Sequence, residues 1–120
     1  MENRIDKKFF DLKKQNKKAL ACFVTSCDPN KELSEKIINS LPNYGADIIE
    51  IGIPFSDPMA DGPTIQLSSN RAISKGIDLD NIFSLASEAK KIKGDLPIIL
   101  MGYYNLILYF GIEKFVKKCK

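Results

Sequence analysis

The alternation of apolar and polar residues along the chain predicts helices that alternate with short strands. Apolar residues three and four positions apart predict amphipathic helices, whereas continuous apolar runs of about four to eight residues predict buried strands. On these criteria the predicted strands cover residues 19–25, 47–53 and 96–102. The predicted helices cover 4–15, 64–75 and 81–93 (capped by Asp78 or Asp80), with one more that carries Leu33, Ile37, Ile38 and Leu41 and a last one that begins at Gly111. Strands separated in this way by helices form parallel sheets with right-handed crossovers.

Two parallel-sheet architectures fit this order, an open doubly wound sheet and part of a barrel. No G-x-G-x-x-G or G-x-x-x-x-G-K-[ST] loop follows a predicted strand, which argues against a nucleotide-binding open sheet. Chemically distinctive residues instead lie in the carboxyl-terminal part of each predicted strand or directly after it, as at the mouth of a barrel. These are Thr25 and Ser26, then Glu50 with the loop after it, then residues 103–105. The order therefore favours part of a barrel over an open sheet.

Length and composition are those of one ordinary globular domain. The 120 residues are 44% hydrophobic and 28% charged, which is typical of such domains. There is no run of about 18 apolar residues and no leader in which a basic region precedes an apolar one. No membrane association is therefore expected, and the expected location is the cytoplasm.

Charge and cysteine content argue against two further kinds of site. The net charge of +3 arises from 16 lysines and 2 arginines against 15 acidic residues. Lysine pairs form the polar side of the first predicted helix, and no nucleic-acid-binding module accompanies them, so no nucleic-acid partner is expected. The three cysteines have no C-x-x-C spacing and the chain lacks histidine, so we expect reduced thiols and no metal site.

Glu50 is the residue of the second predicted strand that is best suited to acid–base chemistry. Strand alternation places Glu50 on one face with Ile48 and Gly52, and the isoleucines at 49, 51 and 53 on the other. Moving an ionised carboxylate out of water costs several kcal/mol and raises its pKa, which is what a general acid–base requires. The alternative is a glutamate on a solvated or salt-bridged edge.

The loop over residues 54–63 contains three prolines, one glycine and two aspartates, the composition of a shaped loop. Asp61 can fold back over the strand end toward Glu50. Alternatively, Asp61 and Gly62 form only an Asx-type turn into the next helix. A rigid loop directly after a buried acid is where α/β folds place their sites, which favours the first interpretation.

The segment 49–66, IEIGIPFSDPMADGPTIQ, closely resembles the signature of the tryptophan synthase alpha chain family. Residues 23–25 with Asp28 and Pro29, and residues 100–105, resemble the first and third strand ends of that family. The resemblance implies an α/β fold of the (βα)8 TIM-barrel family, of which residues 1–120 would form one partial domain with the N-terminal helix and the first three βα units. It further implies that the barrel cleaves indole-3-glycerol phosphate to indole and glyceraldehyde 3-phosphate in a retro-aldol step of L-tryptophan biosynthesis. It also implies a beta-chain partner in an alpha2beta2 heterotetramer, with pyridoxal phosphate in the beta chain and no cofactor in this chain.

Residue roles follow from the resemblance where the motif matches. Glu50 would be the acid–base at indole C3 and the glycerol hydroxyl, and Asp61 would accept a hydrogen bond from the indole N–H and stabilise positive charge on the ring. The residues that would wall the indole pocket are Phe23, Ile65, Leu100 and Tyr103. Those that would face the beta chain are Pro54, Asp57, Pro58 and Asn105.

The chain departs from the family pattern at two positions and in length. Cys27 stands where the family usually has glycine, so a strained or differently shaped turn is expected, and Met59 replaces a common leucine at little cost. A barrel of this kind needs about 250 residues and binds phosphate after strands seven and eight, so the isolated 120-residue chain is expected to be inactive. The alternatives are a truncated non-catalytic module that binds the beta chain, and another phosphate-handling barrel.

Overall fold

A computed structural model describes residues 3–120, so the predicted domain over residues 1–120 has its first two residues outside the described range. The strands are β1 (Ala21–Thr25), β2 (Ile48–Gly52) and β3 (Ile98–Met101). The helices are α1 (Arg4–Lys14), α2 (Lys31–Ser40, continued by a 3₁₀ turn over Leu41–Tyr44), α3 (Pro63–Ile73), α4 (Leu79–Ile92), α5 (Tyr104–Phe110) and α6 (Ile112–Cys119). Across the described residues, no helix combines the length and the hydropathy needed to span a bilayer.

Helix boundaries follow from side-chain capping and from proline. Asn3, Asn30 and Asp78 each accept a hydrogen bond from the backbone N–H three residues later, which satisfies a donor that the first helical turn leaves unpaired. The cap of α4 is thus Asp78 rather than Asp80. Pro63 begins α3, where its missing N–H and fixed φ suit the first turn.

The three strands form one parallel sheet in the order β1-β2-β3. In the register, Phe23 and Ile99 flank Glu50 on one face, which we call the inner face. The opposite, outer face carries Ile49 and Ile51 and packs under the helices. Its core comprises Ile38 of α2, Ala72 of α3, Ile82, Leu85 and Ala89 of α4, and Cys27, Ile49, Ile51, Ile53 and Leu96.

Two features of the fold differ from the prediction. The first strand was expected to be apolar and buried on both faces, but β1 is an edge strand and Phe23 on its inner face is 38% exposed. The sequence also predicts one helix after β3, whereas Gly111, at φ 97°, separates α5 from α6. Helix α5 has seven mostly apolar residues and therefore lacks the polar stripe by which an amphipathic helix is identified.

Candidate functional site

A cavity of about 180 Å³ lies at the carboxyl ends of the three strands. Its lining residues come from the strand ends, the loop after β2, and α3: Phe23, Thr25, Gly52, Ile53, Phe55, Ala60, Asp61, Ile65, Ser69, Met101, Gly102 and Tyr103. Most of this surface is apolar, and Asp61 carries the only carboxylate among these lining residues. A mainly apolar cavity with a few polar groups is typical of a site that binds a small, largely apolar ligand.

Two glycines allow the strand ends to close around this cavity. A Cβ on Gly52 would lie 2.5 Å from the tip of the Phe23 ring, and a Cβ on Gly102 would lie 2.9 Å from Cβ of Ile53. The space that the missing side chain of Gly52 leaves is therefore occupied by the Phe23 ring. Phe23 and Ile53 can approach the backbone closely only because these positions lack side chains.

Glu50 lies on the inner face, two residues before Gly52, or about 7 Å along the strand. It is half-buried and is paired in register with Phe23 on one side and Ile99 on the other. Glu50 does not itself line the cavity; it lies beneath the part formed by Phe23 and Gly52. The predicted alternation is observed, since Ile49 and Ile51 are fully buried on the outer face.

Asp61 is fixed at the cavity wall by hydrogen bonds of its backbone and of its side chain. Its N–H donates to the Pro58 carbonyl at 3.0 Å, and its carbonyl accepts from Nε2 of Gln66 at 2.8 Å. The Tyr103 hydroxyl lies 3.1 Å from Oδ2 of Asp61 and 2.9 Å from the Ala60 nitrogen. The sequence predicts Tyr103 and Asp61 as site residues, but it does not predict the contact between them, because they are 42 positions apart along the chain.

Polar contacts join α3 to the end of β1 and so position Ile65 of α3, which lines the cavity. The hydroxyls of Thr25 and Ser68 lie 2.7 Å apart, and the Ser68 hydroxyl is also 2.9 Å from the Ile65 carbonyl. The Arg71 guanidinium donates two hydrogen bonds to the Asp28 carboxylate, at 2.7 and 2.8 Å. This carboxylate raises the pKa of Arg71. The loop after β1 and α3 are thereby positioned together.

The turn after β1 has the unusual shape expected from the cysteine at position 27. Cys27 has φ 63°, in the left-handed region that costs a residue with a Cβ about 1–2 kcal/mol and that glycine adopts freely. Its side chain is fully buried, and its N–H donates to the Ser34 hydroxyl at 2.9 Å. Burial raises the pKa of the Cys27 thiol, partly offset by the charge of Lys31. The hydrogen bond to Ser34 and the burial of the side chain hold the turn, although Cys27 has a strained backbone conformation.

The cavity brings together three of the four predicted pocket residues, Phe23, Ile65 and Tyr103, but not Leu100. Leu100 pairs with Ile51 in register and packs against the core on the outer face, so its placement in the pocket wall is corrected. Met101 takes that place on the inner face. Because a shift of one residue along a strand reverses the face, the prediction for Leu100 was wrong by one position.

The predicted partner-facing residues differ in exposure. Asp57 and Asn105 are exposed, Pro54 is partly buried, and Pro58 is buried, where its carbonyl accepts from Asp61. Pro58 thus helps to shape the loop, whereas Asp57 and Asn105 are accessible. Met59, beside them in sequence, is 89% exposed.

Parallel strands joined through helices, with a cavity at their carboxyl ends, define the class of protein to which the chain belongs. It is an α/β protein of the (βα)8 TIM-barrel class, and the described residues contain an N-terminal helix and three strand units of that fold.

Comparison with known proteins identifies the family. The sequence model of the tryptophan synthase alpha chain family matches residues 9–120, and the chain belongs to this family. Curated tryptophan synthase alpha chains from Caldanaerobacter subterraneus subsp. tengcongensis and Geotalea uraniireducens are 51% and 53% identical over 118 and 114 residues, which is 98% and 95% of this chain and 45% and 42% of theirs. A crystal structure of tryptophan synthase subunit alpha from Legionella pneumophila superposes with a TM-score of 0.95 at 41% identity, covering 98% of this chain and 45% of that one. The chain thus spans less than half the length of the relatives it matches.

Proposed function

We propose that this chain provides the indole pocket and the acid–base groups of a tryptophan synthase alpha chain, a lyase that cleaves indole-3-glycerol phosphate to indole and glyceraldehyde 3-phosphate. The observation that carries the proposal is the fixed Asp61 carboxylate at the wall of a mainly apolar cavity, which Phe23 and Gly52, next to Glu50 on the inner face of the sheet, also line. Family membership supports the lyase over a non-catalytic module.

Glu50 and Asp61 act at two different atoms of the indole ring, C3 and the ring nitrogen. Cleavage of the bond from indole C3 to the glycerol chain requires the ring to accept an electron pair, which it does after a proton is added at C3. Glu50 donates that proton and then removes one from the glycerol hydroxyl, whose carbon becomes the aldehyde as the bond breaks. Asp61 accepts from the ring N–H and stabilises the positive charge that develops there.

We expect little turnover by the 120 residues alone. Barrels of this class bind substrate phosphate with the loops after strands seven and eight, and the described residues contain three strands. Positioning of substrate contributes about 7–11 kcal/mol to such reactions, so a pocket without a phosphate site would release little product.

The proposed partner is a beta chain that holds pyridoxal phosphate and receives indole, in an alpha2beta2 heterotetramer. Asp57 and Asn105 follow β2 and β3 and are exposed on the side where the cavity lies, which suits residues that contact another chain there. Titration of this chain with a beta chain tests the contact. Binding at micromolar concentration that Asp57→Lys weakens, but Asp95→Lys before β3 does not, supports it, and equal effects of the two changes would contradict it.

The lyase is tested in a joined protein, in which this chain is followed by the part of the Caldanaerobacter subterraneus relative beyond the matched region. Indole release from indole-3-glycerol phosphate is compared for the parent, for Glu50→Gln and for Glu35→Gln. Glu35 is the matched control, since it lies on α2 and does not line the cavity. Loss of about 100-fold or more is expected for Glu50→Gln alone. Activity within a few-fold of the parent would refute the role of Glu50.

A further inference from the structure

The Tyr103 hydroxyl connects the end of β3 to the loop after β2 through two hydrogen bonds. We propose that Tyr103 is a positioning residue, which orients the Asp61 carboxylate so that Oδ1 is the oxygen that accepts from a ligand N–H. The catalytic part of this inference rests on the proposed function, whereas the orientation of Asp61 is a property of the fold.

The chemistry of the three groups fixes the direction of both hydrogen bonds. The Ala60 nitrogen can only donate, so the Tyr103 oxygen accepts from it at 2.9 Å. An ionised carboxylate can only accept, so the single hydroxyl proton points to Oδ2 of Asp61, 3.1 Å away. The hydroxyl proton is thereby committed to Asp61 and takes one of the two lone pairs of Oδ2. No hydrogen bond of the described residues reaches Oδ1, so Oδ1 is the oxygen with both lone pairs available to a donor on a ligand.

Only the side-chain torsions of Asp61 remain free, so one hydrogen bond from the Tyr103 hydroxyl is enough to orient its carboxylate. Pro58 and Gln66 hold its backbone N–H and carbonyl, so the side-chain torsions are what the Tyr103 contact restrains. The Tyr103 ring is itself fixed against Phe55, with ring centroids 5.0 Å apart. A carboxylate held in advance loses little entropy when a ligand binds and needs no reorganisation when charge develops on that ligand.

Removing the hydroxyl alone separates this role from packing. Tyr103→Phe keeps the ring that packs on Phe55 and lines the cavity, but it frees both the Ala60 N–H and Asp61 Oδ2. Tyr109→Phe is the matched control, because Tyr109 on α5 is 95% exposed. The two variants lose the same atom from two different environments.

The first readout is amide hydrogen exchange of this chain. Tyr103→Phe is expected to accelerate exchange at Ala60 about 5- to 10-fold, the effect of one ordinary hydrogen bond, and Tyr109→Phe is expected to leave it unchanged. The Ile53 amide, which donates to the Met101 carbonyl at 2.7 Å, reports whether the sheet stays intact. Unchanged exchange at Ala60 in Tyr103→Phe would overturn the proposal.

The second readout is catalysis by the joined protein. A misplaced carboxylate should lower kcat about 10-fold or more while KM stays within about twofold, because the contact with the ring matters most as positive charge develops. Tyr109→Phe should change neither constant. Faster exchange at Ala60 with an unchanged kcat would overturn the positioning role. A parent joined protein that releases no indole would refute the proposed function, whereas the exchange result would still decide whether Tyr103 holds the loop.

Discussion

The two faces of strand β2 differ in what their residues contribute to the protein. Ile49 and Ile51 are fully buried against the helices of the outer face, whereas Glu50 between them is half-buried on the inner face. The strand period of two therefore places packing residues and the proposed acid–base residue one position apart. We expect that substitutions at these neighbouring positions change stability and the proposed activity separately.

The inner face is itself divided along the strand. Ile48, near the amino end of β2, is 4% exposed although it shares the face with Glu50. The cavity begins only at Gly52 and Phe23, near the carboxyl ends. The cavity is thus restricted to the carboxyl end of the inner face, whereas Ile48 at the amino end of the same face is buried by packing.

The largest difference is expected between two adjacent substitutions. Ile51→Ala should lower the free energy of unfolding by about 2–5 kcal/mol, since it removes buried methyl groups and leaves a cavity. Glu50→Gln should change it by less than about 1 kcal/mol, because the side chain keeps its size and Glu50 packs in no helix-covered core. Urea denaturation of both variants measures this. Equal losses would show that the two faces do not differ as described.

An intermediate effect is expected at the two glycines next to the cavity. Gly102→Ala should lower the free energy of unfolding by about 1–3 kcal/mol, because its new Cβ meets the buried Ile53. Gly52→Ala should lower it less, because its new Cβ meets the tip of the half-exposed Phe23 ring, which can turn away. Thermal denaturation compares the two variants, and the reverse order would contradict this picture of the cavity wall.

The smallest effect is expected at an ion pair that belongs to neither face of β2 but joins two helices, with Nζ of Lys118 on α6 2.6 Å from Oδ1 of Asp80 on α4. The hydrogen bond from Lys118 lowers the pKa of Asp80, so any stabilisation is present above the ordinary pKa of aspartate, about 3.9, and disappears as pH falls through the lowered value. Both side chains are about half exposed, and solvent and salt weaken such pairs. Asp80→Asn should shift the urea midpoint slightly at pH 7 and not at about pH 2, with Asp95→Asn as control. A larger shift at acid pH would contradict the assignment.

The sequence predicts those features that repeat along the chain or match a known motif. The three strands, the alternation around Glu50 and the family were predicted, since they depend on local pattern and on the segment 49–66. The exposure of β1 depends on the order of the strands in the sheet. The inner-face position of Met101 depends on the strand register, which the sequence leaves open by one residue. Helix α5 lacks a polar stripe, and the contact between Tyr103 and Asp61 joins distant segments.

The most direct test of the central claim is a crystal structure of the joined protein with indole bound. The account predicts the ring in the cavity at the strand ends, its N–H within about 3.2 Å of Asp61 Oδ1, and C3 on the side of Glu50. A ring bound elsewhere, or one whose N–H points away from Asp61, would contradict it.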